Sequence, residues 1–219
     1  MNITRRAFCE RTVALATLAL VSSTSLLSWA ETARAQSVSP ADLLEPSPLG
    51  DRQMGPDNAP VTIIEYASLT CPHCASFHKN TLPELKKRYI DTGKMRLIFR
   101  EFALNPLDAG AIMLTRCLDT DKYFPFVDVL FQQQDKWVVQ KPIEPLLAIA
   151  KQAGFSQESF DACLKDQKLL DGIEAQRNRA AEKFGVNSTP TLFVNGKMMR
   201  GGGTLQEIEQ EIKPYLDGK

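Results

Sequence analysis

Apolar positions along the chain change regime several times, and each change marks an element. Val13 to Leu27 is a moderately apolar run, and residues 36–60 carry Pro40, Pro46, Pro48, Pro56 and Pro60 with little periodicity. The stretch PVTIIEYAS is then apolar and β-branched on consecutive positions, which predicts a strand at about 61–67 buried on both faces. Thr70 can cap a helix that starts near Cys71-Pro72, where proline is tolerated because its missing N–H would be unpaired anyway. That helix should run to about Ile90, with a kink or break at Pro83, and Gly93 closes the segment before a second strand in MRLIFREF. From Leu107 to Phe184 the spacing is helical, with breaks expected at Pro125, Pro142–Pro145 and Gly154-Phe155. TPTLFVNGKMMR reads as strand, turn and strand, because Asn195-Gly196 supplies the positive φ angles of a tight hairpin. A last helix, about Leu205 to Leu216, follows Gly201 to Gly203.

The order is strand, helix, strand, helical block, antiparallel hairpin, helix. An α/β chain that joins a βαβ unit to a ββα unit across a block of helices resembles a thioredoxin-like fold with an inserted helical domain. The boundaries expected are 56–106 and 185–219 for the thioredoxin-like domain and 107–184 for the insert. Residues 36–55 form a lead-in too short for a dimerisation module, so a monomer is expected.

Residues 1–35 read as an export signal. Arg5, Arg6 and Arg11 precede the apolar run, and Ala33-Arg34-Ala35 has the small residues of a cleavage site. The stretch TRRAF resembles a twin-arginine signal, and the run falls short of the ~20 apolar residues that a spanning helix needs. Cys9 lies before the apolar run and would leave with the signal. Removing four basic and two acidic residues from 26 of each leaves 22 against 24, a nearly neutral chain of about 184 residues. No basic stripe for nucleic acid and no charged tail is present. Export to an oxidising compartment would leave four cysteines, sorted into Cys71 with Cys74 and the more distant Cys117 and Cys163.

Two cysteines separated by two residues at a helix start have a direct chemical use. The first sulfur meets unpaired backbone N–H groups and the positive end of the helix dipole, which stabilise thiolate over thiol. His73 is placed to add a hydrogen bond or a positive charge to the same anion. A stable thiolate is a good leaving group, so Cys71 is the expected attacking cysteine and Cys74, one turn on and more buried, the resolving one. An inert disulfide, or a zinc site using Cys71, Cys74 and either His73 or His78, is the other reading. Zinc is disfavoured because no second CxxC or His pair follows and these are the only histidines.

EYASLTCPHC, followed far downstream by VNSTPTLFVNG, resembles the DsbA-like periplasmic disulfide oxidoreductases over about residues 50–217. The resemblance implies a dithiol oxidase without a cofactor, which introduces disulfides into reduced exported proteins and is reoxidised by a quinone-linked membrane partner. It also implies a cis bond at Thr189-Pro190 beside Cys71, with the Thr189 backbone pairing with an extended client segment. Glu65 matches a position where the family often has an acidic residue beneath the active site. A carboxylate buried there would have a raised pKa and could relay a proton to or from Cys74; the alternative is a strand-end glutamate in water. His78 is expected at the surface. Cys117 and Cys163 match a second, structural disulfide of some relatives, the alternative being two buried thiols. Asn187-Ser188-Thr189 fits a glycosylation pattern, but the resemblance puts it in the active-site loop. Two other functions stay open. One is a disulfide isomerase or reductase, since Thr189 before the proline also occurs in isomerase-like relatives, and the other is a metal-handling or chaperone-like binding protein.

Overall fold

A computed structural model of the protein describes residues 39–199 and 203–218, so the export signal expected at 1–35 lies outside the described residues. Helix α1 (Pro40–Leu44) and strand β1 (Arg52–Met54) form in the lead-in, where the sequence pattern predicts neither. Strand β2 (Val61–Ala67) and β3 (Met95–Glu101) flank a helical run, α2, over residues 72–90. The insert follows as α3 (Pro106–Arg116), α4 (Thr120–Gln132), α5 (Gln134–Trp137), α6 (Ile143–Gln152), α7 (Gln157–Leu164) and α8 (Gln167–Phe184). The chain closes with β4 (Thr191–Val194), β5 (Lys197–Met198) and α9 (Leu205–Leu216).

The sheet order is β1-β3-β2-β4-β5. β2 and β3 are parallel, because α2 supplies the crossover that parallel neighbours need, while β4 runs antiparallel to β2 and forms the hairpin with β5. Asn195 and Gly196 take φ of 45° and 87°, the left-handed values that a two-residue hairpin turn requires. All seven residues of β2 are buried, and the strand's period of two divides them between two cores. Val61 and Ile63 pack with Leu85, Leu97, Ile208 and Ile212 on the α2 and α9 face, whereas Ile64 and Tyr66 pack with Leu43, Ala180 and Phe184 on the other. Glu65 lies between Ile63 and Ala67 and so points to the α2 face.

Pro83 disturbs its helix without breaking it, and Pro125 interrupts nothing. Pro83 does not break α2: α-helical turns at Pro72–Ser76 and Leu82–Leu85 alternate with π-helical turns at Phe77–Thr81 and Lys86–Ile90. The wider turn just before Pro83 gives its ring room where an α-turn would press it on a carbonyl. Pro125 sits inside α4, whose buried Tyr123, Phe126, Val127, Leu130 and Phe131 hold the helix together through the missing hydrogen bond.

Buried polar networks fasten the lead-in and the insert to the sheet. On one face Arg100 donates to both oxygens of Asp51 (2.8 and 2.9 Å), to the Tyr66 hydroxyl and to the Glu45 carbonyl. At the end of β3, Glu101 accepts from Arg116, Tyr123 and Gln176, which belong to three helices of the insert. Burial alone would raise the Glu101 carboxyl, but Arg116 with Tyr123 and Gln176 holds it below its usual range. Cys117, at the end of α3, is joined to Cys163 of α7 in a disulfide with Cα atoms 6.2 Å apart.

The bridge spans 46 residues, for which the chain-entropy account gives about 4 kcal/mol. Replacing Cys117 and Cys163 together by Ser is expected to lower unfolding free energy by about 2–4 kcal/mol in urea titrations. The alkylation kinetics of Cys71 should not change.

Candidate functional site

The helix starts one residue later than Thr70 capping would allow. Cys71 is itself the N-cap residue, extended at φ −81° and ψ 122°, and Pro72 occupies the first helical position. Its sulfur therefore takes the place of the Ser or Asp oxygen that ordinarily faces the first free N–H groups of a helix. Thr70 ties the preceding loop instead, its hydroxyl 3.1 Å from the Ser68 hydroxyl and accepting from Asn105 Nδ2 at 3.1 Å.

Cys71 and Cys74 are free thiols, and their environments push them apart. The Cys74 thiol, donating to the Cys71 sulfur, is the largest influence on Cys71; burial opposes it, and the Thr189 hydroxyl and the backbone N–H groups of Cys74 and His73 add to it. The net result is a Cys71 pKa lowered to about 5. Cys74 is raised far above the usual thiol range, first by burial, then by its bond to Cys71 and by the negative field of Glu65. One sulfur is thus an anion at neutral pH and the other keeps its proton. His73 contributes through its backbone N–H, while its side chain is exposed to solvent.

Glu65 is fully buried, so the strand-end alternative does not apply. Its carboxylate oxygens lie 3.2 and 3.1 Å from Nε2 of His78, a residue expected at the surface. His78 is 5% exposed, because the fourth position after Cys74 falls on the same helix face, and that face looks onto the sheet. The four-residue spacing from Cys74 is the sequence signal for this placement, whereas the polarity of histidine by itself points to water. Its ring is framed by Phe77, Phe99 and Phe131, the last with centroids 4.2 Å apart. Nδ1 has no hydrogen-bond partner and lies 3.8 Å from Asp128 of α4. Burial pulls the imidazolium down, but the Glu65 and Asp128 carboxylates outweigh it and raise the pKa to about 9.

The Thr189–Pro190 peptide bond is cis and stands directly before β4. The Cys71 thiol lies 3.3 Å from the Thr189 carbonyl, to which it can donate. The Thr189 hydroxyl is buried without a well-formed hydrogen bond and faces the same sulfur, where it favours the anion. Cys71, Cys74, the His73 amide, Glu65 and Thr189-Pro190 thus converge at one end of the sheet, and the Cys117–Cys163 pair belongs to the insert. Among the described residues no group of three His, Cys, Asp or Glu side chains is arranged to hold a metal ion.

The chain is similar to known proteins in sequence and in fold. Residues 48–214 match a family model described as thioredoxin. A Rickettsia felis protein named "Putative protein-disulfide oxidoreductase" is 35% identical over 169 residues, 76% of this chain and 60% of that protein, so the chain spans about three fifths of this relative's length. A Bacillus anthracis protein named "Probable disulfide bond formation protein D" is 31% identical over 174 residues, 74% of this chain and 78% of the relative. The crystal structure of Wolbachia pipientis alpha-DsbA1 superposes with a TM-score of 0.75 at 34% identity, covering 82% of this chain and 97% of that one.

Two titrations follow. The alkylation rate of reduced protein by iodoacetamide should rise with a midpoint near pH 5 and report modification of Cys71 only, read by peptide mass spectrometry. Because the folded pKa lies below the unfolded value of 9.0, the thiolate stabilises the reduced fold fully above pH 9 and not below pH 5. The melting temperature of reduced relative to disulfide-bonded protein should therefore climb between those limits. For His78 the sign is opposite: its folded pKa is raised above 6.5, so its contribution is complete below pH 6.5 and is lost as pH rises through about 9. Its imidazole carbon-bound protons should titrate by NMR near pH 9.

Proposed function

The chain belongs to the DsbA-like proteins of the thioredoxin superfamily, and from that premise we propose that it is a thiol–disulfide oxidoreductase that introduces disulfide bonds into exported proteins. The observation that carries this reading is the opposite displacement of the two thiols, Cys71 downward to about 5 and Cys74 upward. A stable Cys71 thiolate favours the reduced enzyme and makes the Cys71–Cys74 disulfide an oxidant.

In the proposed cycle a client thiolate attacks Cys71 Sγ of the enzyme disulfide. The Cys71–Cys74 bond breaks, a client–Cys71 bond forms, and Cys74 leaves as a thiolate that takes up a proton. A second client thiolate then attacks the client sulfur of the mixed disulfide and expels Cys71 as its stable thiolate. Two electrons pass from client to enzyme, and the client gains the disulfide. Glu65, near enough to Cys74 to act on it electrostatically, is proposed to pass the proton to and from that sulfur, with His78 as its fixed partner. The cis Pro190 turn and the Thr189 backbone are proposed to seat an extended client segment beside Cys71. The Cys-Pro-His-Cys motif is the proposed redox centre, acting in the periplasm after removal of residues 1–35 and reoxidised by a quinone-linked membrane protein. Among the described residues no helix is long and apolar enough to cross a membrane.

Equilibration in graded glutathione buffers tests the direction. The Cys71–Cys74 couple is expected to sit nearer the about −120 mV of strong oxidants than the about −270 mV of thioredoxin. The same value is expected when Cys117 and Cys163 are replaced by Ser. A thioredoxin-like potential would assign the protein to the reductases or isomerases instead.

A further inference from the structure

Two side chains of the insert direct their polar atoms at the short loop that delivers Cys71 to the helix. Asp108, fully buried in the first turn of α3, accepts the Leu69 N–H at 2.8 Å with one oxygen and the Leu104 N–H at 2.9 Å with the other. The Ser68 hydroxyl and the Thr70 N–H also turn toward it. Gln134, the first residue of α5, donates from Nε2 to the carbonyls of Leu69 (2.8 Å) and Cys71 (3.0 Å). Leu69 thus has both its backbone donor and its backbone acceptor engaged by side chains of the insert.

The carboxylate is an unusual choice for this place, because burial pushes the Asp108 carboxyl up to about 6. Holding it ionised at neutral pH costs stability rather than adding it. What a carboxylate supplies is two acceptor oxygens at once, which asparagine does not. The loop it fixes must be accurate, since the Cys71 sulfur meets the N–H groups of His73 and Cys74, the Cys74 thiol and Thr189 from a single backbone position. A displacement of about 1 Å at such a centre can cost about a hundredfold in rate.

We propose that Asp108 and Gln134 are positioning residues for Cys71, holding residues 68–71 from the insert so that the sulfur stays at the helix N-terminus and keeps its reactivity. The inference rests on the reading of Cys71 as the nucleophile, and it gives the helical insert a part in setting the chemistry.

The test compares Asp108→Asn and Gln134→Ala with Ile149→Ala, a truncation in the insert core away from the loop, in the reduced full chain. Three quantities are read: the pH midpoint of Cys71 alkylation, its rate at pH 6, and the melting temperature. Gln134 is half-buried at the surface, so its replacement keeps the test usable if Asp108→Asn does not fold. Both loop variants are expected to raise the midpoint and slow alkylation at pH 6 by about tenfold. Ile149→Ala should lower the melting temperature and leave the midpoint in place. Loop variants whose midpoint and rate stay within about twofold of the unsubstituted protein, whatever their melting temperature, overturn the proposal. An ordinary thiol midpoint in the unsubstituted protein would overturn the reading of Cys71 itself, and the positioning role with it.

Discussion

A sulfur placed where a helix needs an acceptor is the interaction on which the remainder of this structure depends. The first turn of α2 has N–H groups with no partner inside the helix, and Cys71, as the N-cap residue, holds its sulfur near them without a formed cap hydrogen bond. Pro72 removes the one donor that would be wasted there, and the extended backbone of Cys71 turns the sulfur back over the helix end. The Cys74 thiol, with the Thr189 hydroxyl and the amides of Cys74 and His73, must outweigh burial, which works against the anion, for the pKa to fall. The Cys74 thiol and the amides come from the helix that Cys71 caps, whereas Thr189 is brought to the same sulfur from a loop 118 positions away.

Directly below, the physics is reversed. Cys74 is buried beside Glu65, and both burial and negative charge keep its proton on. A buried carboxylate is costly unless paired, and His78 supplies the partner from the next turn of the same helix. Three phenylalanine rings close around the imidazole, and Asp128 reaches it from the insert. The two sulfurs therefore differ, although they are three residues apart, because Cys71 receives the Cys74 thiol and lies at a helix start, while Cys74 is buried more deeply and beside a carboxylate.

The insert is fastened to this centre at several depths. Arg116, Tyr123 and Gln176 converge on Glu101 at the end of β3, the Cys117–Cys163 bridge ties α3 to α7, and Asp108 and Gln134 reach the loop before Cys71. Parallel strands β2 and β3 finish at the same end of the sheet, so the chain leaving β3 into the insert passes beside the chain leaving β2 toward Cys71. The Asn105–Thr70 and Asp108–Leu69 hydrogen bonds join those two exits.

Much of this was legible in the chain. The consecutive apolar run of β2, the Asn195-Gly196 turn and the helical spacing of the insert each follow from local periodicity and backbone preference, which neighbours in sequence determine. The pairing of a helix start with Cys71-Pro72-His73-Cys74 also pointed to Cys71 as the sulfur at the helix end, since a helix end acts on whatever side chain caps it. Where the local reading failed, a distant packing surface had decided. His78 is polar and would suit water, but its helix face is laid against β2, where Glu65 needs a cation. Pro125 should interrupt a helix, yet the apolar face of α4 is buried deeply enough to carry the missing bond. Asp108 and Gln134 bear no sequence signature, because hydrogen bonds to a backbone amide 39 positions away and to carbonyls 65 and 63 positions away depend on the fold and not on spacing. The sequence by itself determined most of the elements and set Cys71 and Cys74 at a helix start, through short-range sterics and backbone preference. Only the tertiary structure decided which buried charges face those sulfurs, because burial and long-range contacts exist once the layers have packed.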